Sequence, residues 1–515
     1  MSCHKMRNII SSSLLLCAFL ASALAQATSK PNIVLIFADD LGYGDVGCFY
    51  DQSPCKTPNL DRMAAEGAKL TSFYVPTPYC APSRATILTG RYPFRHGMVR
   101  NPAPDVGLSN FGLDPSEITI AELLKERGYA TAAFGKWHLG HKQPWLPRSQ
   151  GFDEYVGILY SNDMFPVQLV RNEKVIEYPV VQSDLSRRYT DMAIDFIKRH
   201  KDEPFFVYLP HAMPHKPLAA SDDFYTPDTP DDLYADTVAE LDHEVGRVLG
   251  ALKRLKLDRK TLVIFLSDNG PWFGGSTGGL RGMKAKTWEG GLRVPMIARM
   301  PGVIPAGIVN DSPLGSVDVL PTICRLTSTA LPPERLIDGR DLMPFLKSSQ
   351  KSDASRPIFG MHGDKLSTIR VGRWKLYVRS PGRDLFHWMT MEQKAGYKDP
   401  RGPDGVTIIA PFEQAQINQH PGLATEGNPP AMMLFDLDAD RGESRNVAQE
   451  NPAVVNRLKA IFDRAAQGVP KFENAPADYL FRPPAKGQPR TLMRLIGGEL
   501  RYDRVPKPQQ HLMKE

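Results

Sequence analysis

Two adjacent carboxylates, Asp39 and Asp40, close the apolar run "NIVLIF" (Asn32–Phe37). Asp268 and Asn269 close another such run, "TLVIFL" (Thr261–Leu266). All four side chains offer hard oxygen ligands. That donor set suits Ca2+ or Mg2+ rather than Zn2+, whose sites are built on His and Cys. Taken singly, each is an ordinary strand-end turn residue. Adjacent carboxylates sharing a cleft repel one another unless a cation neutralises them, so together they read as a metal site.

Cations and imidazoles accompany the carboxylates. Lys136 and His138 follow the run "YATAAF" two residues apart, so in an extended segment both face one side. His215 sits in "MPHKP" between prolines, and Lys284 in the glycine-rich stretch "LRGMKAKTWEGG". Arg84 lies one turn into a helical pattern that follows Cys80. Individually these are surface cations and turn or core histidines. Gathered around a divalent metal, they suit an anionic ester whose negative charge grows in the transition state. His211, Lys216, His243 and Lys286 find no role in that array and read as ordinary surface or core residues.

Cys80 is the least ordinary of the set. Pro82 is well placed as a first helical residue and Gly90 as the stop. Cys80 then faces a helix N-terminus, where free N–H groups and the dipole favour an anion. Disulfide half, metal ligand and low-pKa thiolate all remain open for it. A soft sulfur nevertheless pairs poorly with a metal chosen by four hard oxygens. Beyond the N-terminal leader the chain has four cysteines, Cys48, Cys55, Cys80 and Cys324, too few for a disulfide scaffold. Cys48 and Cys55 are near enough to pair, and Cys324 reads as a core thiol.

Five apolar runs must position these groups: "NIVLIF", "LTSFYV" (Leu70–Val75), "YATAAF" (Tyr129–Phe134), "FFVYL" (Phe205–Leu209) and "TLVIFL". Runs of that length read as strands buried on both faces. Helical patterns separate several of them, over 58–66, 117–127, 187–199 and 233–255. The alternation predicts an α/β fold with a largely parallel sheet, whose ligands bind beyond the carboxyl ends of the strands. After residue 350 short antiparallel strands follow, with Gly372-Arg373 as a hairpin turn and a helix over 452–467. The domains expected are a catalytic one over 30–350 and a smaller one over 351–470 with an insertion at 381–431. A polar, proline-rich extension covers 471–515.

The chain has 515 residues, 42% of them hydrophobic and 23% charged, with a formal net charge of +6. That is ample for a large core. No dense basic block or basic face interleaved with aromatics points to nucleic acid. Residues 1–25 read as a secretory signal peptide. Lys5 and Arg7 precede the apolar stretch "IISSSLLLCAFLASALA", which ends in Ala23-Leu24-Ala25. The expectation is an exported protein, periplasmic or secreted. No other long apolar run predicts membrane insertion, and the surroundings of Cys17 argue against a lipoprotein anchor.

The stretch Cys80-Ala81-Pro82-Ser83-Arg84, followed by Leu88-Thr89-Gly90, resembles the sulfatase signature C-x-P-S-R-x-x-x-L-T-G at every fixed position. "GYATAAFGKWHLG" (Gly128–Gly140) resembles the second sulfatase signature. Further stretches from "KPNIVLIFADDLGYGDVGC" through "LSDNGP" and "KTWEGGLRVP" to "LFDLDADRGESRN" extend the likeness over most of 30–450. "GILYSNDM" is similar to the arylsulfatase A and N-acetylgalactosamine-6-sulfatase branch. Val294 departs, standing where many members carry Glu.

The resemblance implies an alkaline-phosphatase-like fold: a large mixed, mostly parallel sheet sandwiched by helices, plus a smaller C-terminal α+β domain with a short antiparallel sheet. It implies hydrolysis of a sulfate ester, with Cys80 oxidised to Cα-formylglycine by a separate maturase before folding. The hydrated aldehyde attacks sulfur, and a covalent sulfoenzyme then expels sulfate. By the same likeness Asp39, Asp40, Asp268 and Asn269, with residue 80, bind one Ca2+, and Arg84 holds the hydrate. Lys136 and Lys284 bind sulfate oxygens, His138 assists elimination, His215 protonates the leaving alcohol, and Ser161 contacts substrate. The expected substrate is a sulfated small molecule or oligosaccharide. A phosphodiesterase or phosphonate monoester hydrolase of the same superfamily is the alternative.

Overall fold

The structure, a computed structural model, describes residues 30–102, 111–164, 167–178, 180–224, 233–272, 274–350, 355–382, 428–470, 491–496 and 499–504. The leader at 1–25 and nearly all of the 381–431 insertion lie outside the described residues. In chain order the first strands are β1 (Asn32–Ala38), β2 (Ala68–Leu70), β3 (Phe73–Tyr74), β4 (Ala130–Phe134), β5 (Glu154–Gly157), β6 (Leu169–Arg171) and β7 (Lys174–Glu177). They continue with β8 (Phe205–Pro210), β9 (Thr261–Ser267), β10 (Met296–Arg299), β11 (Ile308–Asn310) and β12 (Leu314–Gly315).

Ten of these make one sheet in the order β11-β2-β10-β9-β1-β8-β4-β5-β6-β7. Its centre, β9-β1-β8-β4-β5, is parallel throughout, while β10 and β6 run antiparallel to their neighbours. β1 lies in the middle because every one of its residues is buried. Its alternate side chains feed two separate cores. Ile33, Leu35 and Phe37 join the layer of helices Cys80–Thr89, Ile120–Glu126 and Val319–Leu326. Val34, Ile36 and Ala38 join the layer of helices Pro58–Ala65, Leu185–Arg199 and Leu233–Arg254. The helices predicted from periodicity match these elements to within about three residues, the usual uncertainty at helix ends.

One expectation needs correction. "LTSFYV" is not one strand of the main sheet. Thr71 and Ser72 turn the chain, so β2 ends at Leu70 and β3 pairs instead with β12.

A second sheet follows, β13 (Pro357–His362), β14 (Lys365–Val371), β15 (Trp374–Tyr377) and β16 (Met433–Asp436), antiparallel in that order. Gly372, at φ +61°, makes the tight turn between β14 and β15 with Arg373. The helix Pro452–Gln467 covers this sheet through Leu458 and Phe462. In the polar tail, β17 (Thr491–Ile496) and β18 (Glu499–Arg504) form a hairpin that composition did not suggest. Among the described residues no helix is long and apolar enough to cross a membrane.

Candidate active site

The carboxyl ends of β1 and β9 lie side by side because the two strands pair in register, Ala38 against Ser267. The next residues therefore meet. Asp40, at φ +63°, turns its backbone N–H onto Asp268 Oδ1 at 3.1 Å. Asn269 donates from Nδ2 to Asp40 Oδ1 at 2.7 Å. Asp39, Asp40, Asp268 and Asn269 are all fully buried or nearly so.

Cys80 reaches the same point from the neighbouring helix. That helix begins at Cys80 itself, with Tyr79 as N-cap, two residues earlier than Pro82 suggested. Gly90, at φ +68°, ends it as expected. Cys80 Sγ lies 3.5 Å from Asp39 Oδ1, and Lys284 Nζ lies 3.3 Å from Sγ. Burial pushes the Cys80 thiol well up, and nearby Lys136 and Lys284 do not overcome it. Among the described residues no disulfide joins Cys48, Cys55, Cys80 or Cys324.

Arg84, fully buried, fastens the cluster. Its Nε and Nη2 both donate to Asp268 Oδ2, at 3.2 and 2.9 Å, and Nη2 lies 3.5 Å from Asp39. Its Nη1 donates to the Lys136 carbonyl at 2.9 Å. Lys136 Nζ binds Asp39 and donates to Ser161 Oγ at 3.0 Å. Lys284 Nζ sits 2.7 Å from Asp40 Oδ1. Burial pushes the carboxyls of Asp39 and Asp40 up, with Asp268 adding repulsion at Asp39. Lys136, Arg84 and Lys284 pull the other way. Arg84 and Lys284 are themselves held charged by these acids against their own burial.

His215 enters from the other flank, its Nε2 3.7 Å from Asp40 Oδ2. Its Nδ1 lies 2.9 Å from Asn162 Oδ1 and 2.6 Å from the Lys216 carbonyl. Both are acceptors, so Nδ1 carries a proton and Nε2 is the ring nitrogen turned to the site. Asn162 Nδ2 donates to the carbonyls of His215 and Pro217, which fixes the amide's orientation. Asn162 is the residue that sequence reasoning missed. The only signal was its place beside Ser161.

His138 departs from the expected geometry. Its φ of +60° breaks the extended segment, so spacing alone does not align it with Lys136. Its Nε2 donates to the Pro102 carbonyl at 3.1 Å, leaving Nδ1 without a hydrogen-bond partner among the described residues. Burial first, then Lys136 and Arg84, push its pKa far down, so the ring is neutral. His211, whose ring centroid lies 6.4 Å from that of Tyr189, has no hydrogen-bond partner for either ring nitrogen among the described residues and is pushed down to about 3 by burial.

The cluster could hold a metal ion, with a thiol and an imidazole beside its carboxylates. Ligand atoms of Asp39, Asp40, Cys80 and His215 lie within 4.8 Å of one another. Asn269 Oδ1 is buried beside them and has no donor among the described residues. A buried acceptor next to two carboxylates is what a Ca2+-type ion satisfies.

Comparison with known proteins bears on this chemistry. The family model described as Sulfatase matches residues 31–329. N-acetylgalactosamine-6-sulfatase of Canis lupus familiaris is 39% identical over 453 residues, covering 81% of this chain and 82% of that protein. Arylsulfatase A of Homo sapiens is 37% identical over 482 residues, covering 86% and 89%. Among solved structures, Ps i-CgsB in complex with k-i-k-neocarrahexaose superposes with a TM-score of 0.70 at 27% identity, covering 86% of this chain and 94% of that one.

Proposed function

From the premise that this chain belongs to the sulfatase family and is a sulfuric ester hydrolase, we propose that it desulfates a carbohydrate through an oxygen nucleophile on residue 80. The observation that carries this reading is the meeting of Lys136, Lys284 and Arg84 with Cys80 and Asp39–Asp40 at one buried point. Three cations around one potential nucleophile suit a sulfate group, whose oxygens gain charge as the ester breaks. A structural neighbour solved in complex with k-i-k-neocarrahexaose supports the carbohydrate class.

In the structure residue 80 is cysteine, and its Sγ stands in for the oxygens of a hydrated formylglycine. That group would supply a geminal diol as nucleophile, and Asp39, Asp40, Asp268 and Asn269 would hold a Ca2+ ion that supplies positive charge. Arg84 keeps residue 80 and the carboxylates in register. Lys284, 3.3 Å from the Sγ position, and Lys136 take sulfate oxygens, and Ser161 orients Lys136 from 3.0 Å. His215 already donates from Nδ1, so its acid form is the imidazolium, with Asp40 as counter-charge. It gives the Nε2 proton to the leaving alcohol, without which a sugar alkoxide departs slowly. Neutral His138, whose Nδ1 has no hydrogen-bond partner among the described residues, would accept the proton given up as sulfate is released.

Cys80 is 1% exposed, so a maturase must act on the 80–84 segment before folding closes over it. The leader-like N-terminus supports export to the periplasm or beyond.

Peptide mass spectrometry of purified protein tests the nucleophile. The peptide holding residue 80 should be lighter by about 18 Da than its cysteine form, the mass change of this covalent conversion. Active protein whose residue-80 peptide carries only free thiol would refute it. Rates on aryl sulfate against aryl phosphate diesters test the reaction, and a dominant diester rate would favour the phosphodiesterase alternative.

A further inference from the structure

Lys284 is brought to residue 80 by the segment 281–292, and the far end of that segment is buried against the C-terminal sheet. Glu443, in the turn after β16, is fully buried at φ +53°, a conformation side-chain-bearing residues seldom take. Its Oε2 accepts from the Glu289 backbone N–H at 2.7 Å. Its Oε1 accepts from the Tyr377 hydroxyl at 2.5 Å and lies 3.1 Å from Lys375 Nζ. Lys375 also donates to Glu289 Oε1 at 2.9 Å, while the Tyr377 hydroxyl lies 3.1 Å from the Thr287 carbonyl. Arg281 returns the contact, donating to the Glu443 carbonyl at 2.9 Å and covering the Trp288 ring at 3.9 Å. Trp288 in turn packs on Tyr377 and Phe435 of the C-terminal sheet.

The segment between these anchors is folded tightly on itself. A Cβ on Gly291 would lie 1.9 Å from the Lys286 carbonyl oxygen, and one on Gly290 2.4 Å from that of Gly282. Neither glycine could carry a side chain without displacing the segment. On the catalytic side, backbone bonds from Lys284 to Pro271 and from Ala285 to Pro78 hold it. The catalytic part also holds it through Gly270 N–H to the Gly291 carbonyl at 3.0 Å, Val75 N–H to the Leu292 carbonyl at 2.9 Å and the Tyr74 hydroxyl on Glu289 Oε2 at 2.5 Å, and the C-terminal sheet adds the charged contacts of Glu443 and Lys375. Glu443, Glu289 and Lys375 are withdrawn from water, so losing one partner leaves the others with a large desolvation penalty.

We propose that Glu443, with Lys375 and Tyr377, is a positioning element that sets Lys284 against the sulfate group, so the C-terminal sheet completes the active site. This rests on the sulfatase reading given above. Because it acts through Lys284, its effect must vanish once Lys284 is gone; mere adhesion between the two sheets makes no such demand.

The test is a double-mutant cycle on the full-length enzyme. It combines Glu443→Gln with Lys284→Ala and reads kcat/KM and the binding of inorganic sulfate by calorimetry. Tyr377→Phe, which removes one hydroxyl, serves as the second variant in case Glu443→Gln does not fold. Expected is a loss of about tenfold to a hundredfold in kcat/KM, as for a displaced catalytic group, weaker sulfate binding, and no further loss in the Lys284→Ala background. An equal loss in that background, or a lower melting temperature with unchanged sulfate affinity and kinetics, overturns the proposal. If the parent enzyme neither turns over sulfate esters nor binds sulfate, the sulfatase reading falls. Hydrogen exchange then decides the clamp separately: faster exchange confined to 281–292 in the variant upholds it, and unchanged exchange refutes it.

Discussion

Asn162 accepts a hydrogen bond from His215 Nδ1 at 2.9 Å and thereby turns Nε2 toward Asp40. An acid is only as useful as its aim. His215→Ala should therefore slow a sugar sulfate by about 100-fold or more while sparing nitrophenyl sulfate, whose leaving group needs no proton. Asn162→Ala should show the same selectivity at about tenfold. Steady-state rates on both substrates check this, and equal losses on the two would remove His215 from the acid role.

Lys136 and Lys284 are charged donors aimed at one place from two separate segments. Replacing either with alanine should lower kcat/KM by about 100- to 1,000-fold, the cost of losing one donor to a developing anion. Lys284→Arg should fail to restore it, because a planar fork does not fit the space of a point charge. Recovery by arginine would indicate a general electrostatic role instead.

Removing the metal should destabilise the fold as well as stop turnover. Chelation should lower the melting temperature, and Ca2+ should restore it, by about 2.7 kcal/mol at a hundredfold excess over Kd. Zn2+ should substitute less well than Ca2+, since Asp39, Asp40, Asp268 and Asn269 are hard oxygen donors. Asn269→Ala should weaken the Ca2+ response by removing the buried oxygen that has no donor among the described residues. Thermal shift measurements without substrate read this out, and a melting temperature indifferent to chelator and Ca2+ would exclude the site.

Glu240, buried on the helix Leu233–Arg254, is pushed up to about 7 by burial against its hydrogen bond from Ser221. A carboxyl raised in the folded state loses stability as pH climbs from its unfolded value through 7. Glu240→Gln has no proton to lose. Its stability relative to the parent should thus rise between pH 5 and pH 8, by at most about 3 kcal/mol. Urea midpoints at the two pH values test it, and an unchanged difference would show that Glu240 titrates normally.

The central strands were legible because β1, β8 and β9 are continuous apolar runs, a signal that survives without any knowledge of their neighbours. Their polar ends followed from the rule that such sheets bind ligands beyond their carboxyl edge. β3 and β12, two residues each, carry no periodicity to read. The division of "LTSFYV" therefore stayed hidden until pairing was known.

Residue types and strand ends thus already specified the chemistry: hard oxygens, fixed cations, two imidazoles and one misplaced sulfur. Those are local properties of the chain. Which nitrogen of His215 faces inward depends on Asn162, 53 positions away, and complete burial pushes the Cys80 thiol up. Lys284 meets Cys80 across 204 positions and owes its height to Glu443 beyond it. Such relations arise from how distant segments close on one another, and no local pattern of apolar and polar residues encodes them.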